Sequence, residues 1–301
     1  MQTTKVIDKS QSIFGGFTEK IVDYGQLVKF KLNLTVVFSA VMAYLIAFEG
    51  VINWVGVLVL SLGGFLVTAA ANTLNQVLER DFDKLMKRTV NRPIAAGRMS
   101  VSEGVMLAGL MCLVGTVFLS MFNAWTGLLG MISMVTYAFV YTPMKRISPS
   151  AVTVGAIPGA LPLMIGCVAA QGEISSLAIV LFAIQFFWQF PHFWAIAWLG
   201  DEDYKKAGFN LLPNKNGHLD SNVGWQAMIY ALFLVPVGIL PYFLGEAGFA
   251  SVFILTIASL AYAYFGYNLY KKCNRKAALR LMFSSFIYLP IVLFALYFDK
   301  I

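Results

Sequence analysis

Residues 54–83 read WVGVLVLSLGGFLVTAAANTLNQVLERDFD. From Trp54 to about Asn75 the run is apolar and long enough to cross a bilayer as a helix, for which ~20 residues suffice. Glu79, Asp81 and Asp83 then follow within two turns. Carboxylates are unfavourable at a helix C-terminus, where the helix dipole is already negative, so this span ends in charges that call for a cationic partner. Working outward, comparable apolar runs lie near 33–48, 103–121, 124–142, 151–170, 177–198, 223–244, 248–269 and 280–298. The whole chain of 301 residues is 59% hydrophobic and only 12% charged, against about a quarter charged in a soluble domain. That excludes a soluble enzyme and a disordered chain. Cys112, Cys167 and Cys273 are too few and too scattered for a disulfide framework or a CxxC metal site.

The sequence thus predicts an all-α, polytopic membrane bundle of nine transmembrane helices over residues 33–301. Residues 1–32 read as a cytoplasmic segment, not a cleavable signal. Within it Phe14, Phe17, Ile21, Tyr24 and Val28 recur at spacings of three and four, with Glu19, Lys20 and Asp23 elsewhere, which predicts an amphipathic helix lying on the bilayer surface. Nine spans put all of the 22 Lys and Arg except Lys300 on one side. The positive-inside rule makes that side cytoplasmic, with the N-terminus inside, the C-terminus outside and a bacterial plasma membrane as the expected location.

The scarce acids cluster at two cytoplasmic span ends. Asn75, Glu79 and Asp83 are spaced i, i+4, i+8 and share a helix face. A carboxamide and two carboxylates suit a hard cation that keeps waters and takes phosphate oxygens, namely Mg²⁺. Asp81 points elsewhere. The second cluster, Asp201-Glu202-Asp203, would offer Asp201 and Asp203 as further metal ligands if it faced the first. Arg88, Arg92, Arg98, Lys145 and Arg146 interleave with these acids, and such groups suit phosphate. Acids, bases and an apolar bundle together point to a diphosphate on an apolar tail. Lys145 and Arg146 follow Tyr141-Thr-Pro143, where the proline is expected to end the helix. No Walker-type P-loop is present, so a nucleotide is not indicated, nor is a nucleic acid. His192 sits in the aromatic run Phe186–Trp194, and a polar group inside a membrane helix is a functional candidate. It lies some 14 Å or more from the Asp201–Asp203 cluster along a straight helix, unless a break near Pro191 or Gly200 shortens that distance.

These residues resemble the UbiA superfamily of intramembrane prenyltransferases, and within it the branch that farnesylates haem. The strings that carry the resemblance are Asn75-x3-Glu79-Arg80-Asp81-x-Asp83-x2-Met86-x-Arg88-Thr89, Asn91-Arg92-Pro93, Ala96-Gly97-Arg98, Tyr141-Thr142-Pro143-Met144-Lys145-Arg146, the run 155–160 (GAIPGA), Trp188-Gln189-x-Pro191-His192-Phe193, and Asp203-Tyr204-x3-Gly208 followed by Leu212-Pro213. The resemblance implies that farnesyl diphosphate binds through Mg²⁺ to Asn75, Glu79, Asp83 and the second cluster. Lys145, Tyr141 and the loop arginines assist, and the farnesyl group passes to a vinyl group of haem B, with water addition giving haem O. It also implies a hand-over of product in oxidase assembly. Glu79 stands where the wider superfamily has Asp, and His192 where its second motif has Asp. Two other readings stay open: a quinone-precursor prenyltransferase, and a transporter, against which the charges gather at one membrane face and not at the midplane.

Overall fold

The computed structural model describes residues 9–209, 211–212, 214–215 and 218–301, with side chains described from Thr18 onward except at 210 and 213–219. The chain begins with α1 (Lys9–Leu27), α2 (Phe30–Ala47), α3 (Trp54–Leu78) and the one-turn α4 (Arg80–Asp83). Next come α5 (Val101–Ser120) and α6 (Ala124–Val135), which runs through a π-helical turn, Thr136–Tyr141, into α7 (Thr142–Met144). Then follow α8 (Ala151–Gln171), α9 (Ser176–Leu199), the short α10 (Asp201–Lys206), α11 (Asn222–Phe243), α12 (Phe249–Lys272) and α13 (Arg275–Phe298). Among the described residues 9 helical segments are long and apolar enough to cross a membrane, as the sequence predicts. The first begins at Phe30, and the last begins at Arg275, a full turn before its apolar core.

Local chemistry sets the helix starts. Asn53, Asn123, Ser175 and Asn274 each accept a backbone N–H from three residues on. Ser100 does the same for Glu103, the serine half of a capping box. With no hydrophobic drive between helices in lipid, small residues let backbones approach. A Cβ on Gly166 would strike the Ala40 carbonyl, and one on Gly224 would strike the Tyr270 backbone. α8 is the most enclosed span, against α2, α9 and α6. The outer spans turn Leu58, Leu110, Leu113, Val117, Phe253 and Phe283 outward, the inverse of a soluble surface.

One expectation is corrected at Pro143. The helix does not stop before it but widens: the Thr142 N–H reaches back to the Tyr137 carbonyl, and helical bonding resumes through α7. A proline lacks an N–H and presses on the carbonyl four residues back, and a wide turn accommodates both. α1 is helical over Lys9–Leu27, with Ile21 and Tyr24 exposed, while the side chains of Phe14 and Phe17 lie outside the described residues. Its neighbouring face is held by the protein. Leu27 is fully buried with Ile94 and Met99, and Gln76 donates to the Gln26 and Leu27 carbonyls.

Candidate functional site at one end of the bundle

α3 ends at Leu78, yet hydrogen bonding continues across the break: the Glu79 N–H meets the Asn75 carbonyl at 3.0 Å and the Asp83 N–H meets the Glu79 carbonyl at 2.8 Å. The register survives, so Asn75, Glu79 and Asp83 share one face and all three are buried. Asp81 is exposed and pairs with Arg80 and Lys84, pointing elsewhere as expected.

Three cations converge on that face from separate segments. Lys145 Nζ donates to Glu79 Oε1 at 2.8 Å. Arg92 Nη1 bridges both Asp83 carboxylate oxygens at 2.8 and 2.7 Å. Lys29 Nζ donates to Asn75 Oδ1 at 2.9 Å, while Asn75 Nδ2 donates to Thr142 Oγ1 at 3.1 Å. Three basic side chains against two carboxylates suit an anionic headgroup, whose arrival would favour the charged form of Lys29. Burial would raise the Glu79 carboxyl, but the charge and hydrogen bond of Lys145 outweigh it and hold the group below its ordinary value. Burial pulls Lys145 down, yet Glu79 lifts it above its ordinary value. Burial pushes Asp83 up in spite of Arg92. Lys29 is pushed well down by burial and by the nearby charges of Arg92 and Lys145.

An aromatic wall stands beside the charges. The Lys145 ammonium lies 4.6 Å from the Tyr141 ring centre and 5.9 Å from that of Phe209. Arg88 donates to the Tyr204 hydroxyl at 2.9 Å and lies over its ring. Arg146 lies over Phe82 at 4.6 Å, itself packed against Phe209.

Two sequence expectations are corrected here. Arg98 does not join the cluster. After the left-handed turn at Gly97 (φ 75°), its guanidinium bonds Asp23 at 2.9 and 3.1 Å and the Asn91 carbonyl at 2.9 Å, so it clamps α1. Nor do Asp201 and Asp203 meet the first acids. Asp201 pairs with Lys205 at 2.7 Å one turn along α10, Asp203 is partly exposed, and among the described residues no group of three acid, His or Cys side chains is placed to hold a metal. The chain breaks at Gly200, and the new helical phase gives Tyr204, not the acids, to Arg88. The three oxygen donors of Asn75, Glu79 and Asp83 still fit part of a Mg²⁺ shell that water and diphosphate oxygens would complete.

His192 lies apart from this cluster. α9 runs unbroken through Pro191, so His192 stays deep in the bundle. Its Nδ1 is 2.7 Å from Ser285 Oγ on α13, and its ring stacks on Trp188 and meets the edge of Phe286. Lys29, Thr142, Tyr204 and Phe209 are contributors that sequence reasoning missed. For Lys29 the available signal was a basic residue directly before the first span, read there only as topology.

An apolar bundle of membrane-spanning helices with a cation-rich, carboxylate-bearing mouth defines a membrane-embedded enzyme of prenyl diphosphates, and the chain belongs to the UbiA prenyltransferase family, whose sequence pattern matches residues 36–289. Its relatives are more particular. It is 47% identical to Protoheme IX farnesyltransferase of Cytophaga hutchinsonii, over 92% of this chain and 97% of that protein. It is 40% identical to Protoheme IX farnesyltransferase of Christiangramia forsetii, over 100% of this chain and 98% of that one. Among solved structures, a chain from work on digeranylgeranylglyceryl phosphate synthase matches with TM-score 0.78 at 21% identity, covering 93% of this chain and 98% of its own. A UbiA homolog from Archaeoglobus fulgidus bound to GPP and Mg²⁺ matches with TM-score 0.65 at 16% identity, covering 91% and 99%. These two likenesses establish the fold.

Proposed function

We propose that this protein transfers the farnesyl group of farnesyl diphosphate to a vinyl group of haem B, with addition of water, yielding haem O and diphosphate. The observation that carries the acceptor is the near full-length 47% identity to a relative named Protoheme IX farnesyltransferase. The donor follows from the mouth itself, where Lys29, Arg92 and Lys145 surround Glu79 and Asp83 at the end of an apolar bundle.

Lys145, Arg92 and Lys29 receive the diphosphate and stabilise the charge that grows on it as the allylic C–O bond breaks. Arg88 and Arg146, steadied by Tyr204 and Phe82, border the outer phosphate. Mg²⁺ held by Asn75, Glu79 and Asp83 would supply a Lewis acid for the departing oxygens. The Tyr141 ring beside Lys145 presents a π face to the allylic cation. The vinyl carbon attacks that cation, and water captures the new one and releases a proton. An apolar bundle keeps water from the first cation until the acceptor has reacted. His192, deep and hydrogen-bonded to Ser285, serves the haem side as iron ligand or hydrogen-bond partner. α1 rests on the cytoplasmic face of the plasma membrane, with the mouth on the same side and the C-terminus outside; the product passes on to oxidase assembly.

The test is direct. Purified protein with Mg²⁺ and farnesyl diphosphate is given haem B or hydroxybenzoate. Farnesylated haem alone is expected, and a prenylated phenol would overturn the acceptor.

A further inference from the structure

At the far side of the bundle from α3, the paired helices α12 and α13 carry two adjoining concavities. One, of about 200 Å³, is polar and basic, bounded by Asn268, Lys272, Asn274, Lys276 and Arg280. The other, of about 340 Å³, is a groove between the helices, with Ala261, Tyr262, Phe265, Ile287, Tyr288 and Ile291 among its walls. Arg280 belongs to both. The groove descends one face of α13 from Arg280 to Ile291, which at 1.5 Å per residue is ~16 Å. Half of a bilayer's hydrocarbon core is about 15 Å. The groove therefore has the length of one leaflet, apolar along its run and cationic at its head.

The charge at that head is uncompensated, unlike that of several basic residues elsewhere on this side. Arg92, Arg98, Lys145, Lys205 and Lys84 each pair with an acid. Lys272, Lys276 and Arg280 have no acidic partner among the described residues, and residues 247–298 contain no Asp or Glu at all. Topology alone needs basic residues at this end but does not need them gathered over a leaflet-long groove. Basic pockets between membrane helices suit anionic lipid headgroups.

We propose that the α12–α13 groove binds an anionic glycerophospholipid of the cytoplasmic leaflet, its phosphate on Lys272, Lys276 and Arg280 and an acyl chain against Phe265, Ile287 and Ile291. The inner wall of the groove connects to the acceptor side: the Tyr262 hydroxyl donates to the Trp188 carbonyl, and Trp188 stacks on His192. A seated lipid thus braces the layer that holds His192.

The experiment is native mass spectrometry of the full chain in detergent, titrated with dioleoylphosphatidylglycerol or dioleoylphosphatidylcholine. The glycerol lipid should be held at least about tenfold more tightly. Lys276→Gln/Arg280→Gln, two exposed changes, should weaken it about thirtyfold, at roughly fivefold per charge, without weakening phosphatidylcholine. Ala261→Trp should fill the groove and weaken the same lipid while the thermal midpoint in detergent alone is unchanged. Lys84→Gln/Lys87→Gln removes equal charge from another loop and should leave the affinity as it was. Equal retention of the two lipids would overturn the proposal, as would an equal loss in the Lys84/Lys87 variant. Glycerol phosphate binding as tightly as the whole lipid would remove the groove from the site. One-for-one displacement by haem B would assign the groove to the acceptor instead.

Discussion

The pair Lys145–Glu79 separates a structural role from a catalytic one. The two charges are 2.8 Å apart with side chains 11% and 5% exposed. At an effective dielectric of 20 their Coulomb attraction is about 6 kcal/mol, and removing one partner of such a buried pair typically costs about 3–5 kcal/mol because the other is stranded. Lys145→Met and Glu79→Gln should each lower the thermal midpoint in detergent, on the order of 10 °C at 2–4 °C per kcal/mol. The double variant strands no charge between them and should recover at least half of that loss. Turnover of farnesyl diphosphate should not recover, because Lys145 also serves the diphosphate and Glu79 the metal. Thermal unfolding followed by tryptophan fluorescence, with a farnesyl-transfer assay on the same preparations, reads both. Additive loss of stability in the double variant would mean that the pair does not form. Activity restored in the double variant would mean that Lys145 only neutralises Glu79.

Asp83→Asn should lower turnover at least a hundredfold, the scale of losing one electrostatic partner of the leaving group, whereas Asp81→Asn, at an exposed pair, should stay within about threefold of wild type; equal losses in the transfer assay would reject the shared Asn75–Glu79–Asp83 face. Arg98→Ala should free α1, seen as faster hydrogen exchange across Lys9–Leu27 with farnesyl diphosphate affinity near normal; a loss of that affinity would return Arg98 to the substrate. His192→Ala should impair use of haem B while binding of farnesyl diphosphate persists, and full haem farnesylation by the variant would remove His192 from the acceptor site. Cysteines placed at Lys87 and Lys206 should resist a membrane-impermeant label applied outside intact cells, and labelling at either would invert the topology.

The spans were legible because an apolar run of ~20 residues has few other fates in water or lipid. The Asn75–Glu79–Asp83 face was legible because a spacing of four survives even the break at Glu79. Arg92 and Arg98, by contrast, look alike in sequence, six residues apart in one basic loop. Only the path through Pro93 and the positive φ of Gly97 sends one to Asp83 and the other to α1. The placement of Asp201 beside Lys205 was not legible for a related reason: the phase of a six-residue helix after Gly200 is set by its packing, not by its composition. Lys29 was hidden doubly. Its partner Asn75 is far along the chain, and its own backbone is left-handed (φ 51°), a conformation that a lysine does not announce as a glycine would.

The widened turn at Thr136–Tyr141 has a consequence for how the mouth can vary. A π-turn holds one residue more than the α-turn it replaces, and one residue of an α-helix is 100° of rotation. Everything after the turn is therefore dialled round by about that angle relative to an uninterrupted α6. Lys145 owes its aim at Glu79 to this offset as much as to its place in the chain. Removing a single residue from 136–141 would let the helix close into ordinary turns with Lys145 still aimed at Glu79, whereas tightening the turn at constant length would swing the ammonium by roughly a quarter of a circle and leave the Glu79 carboxylate facing no partner.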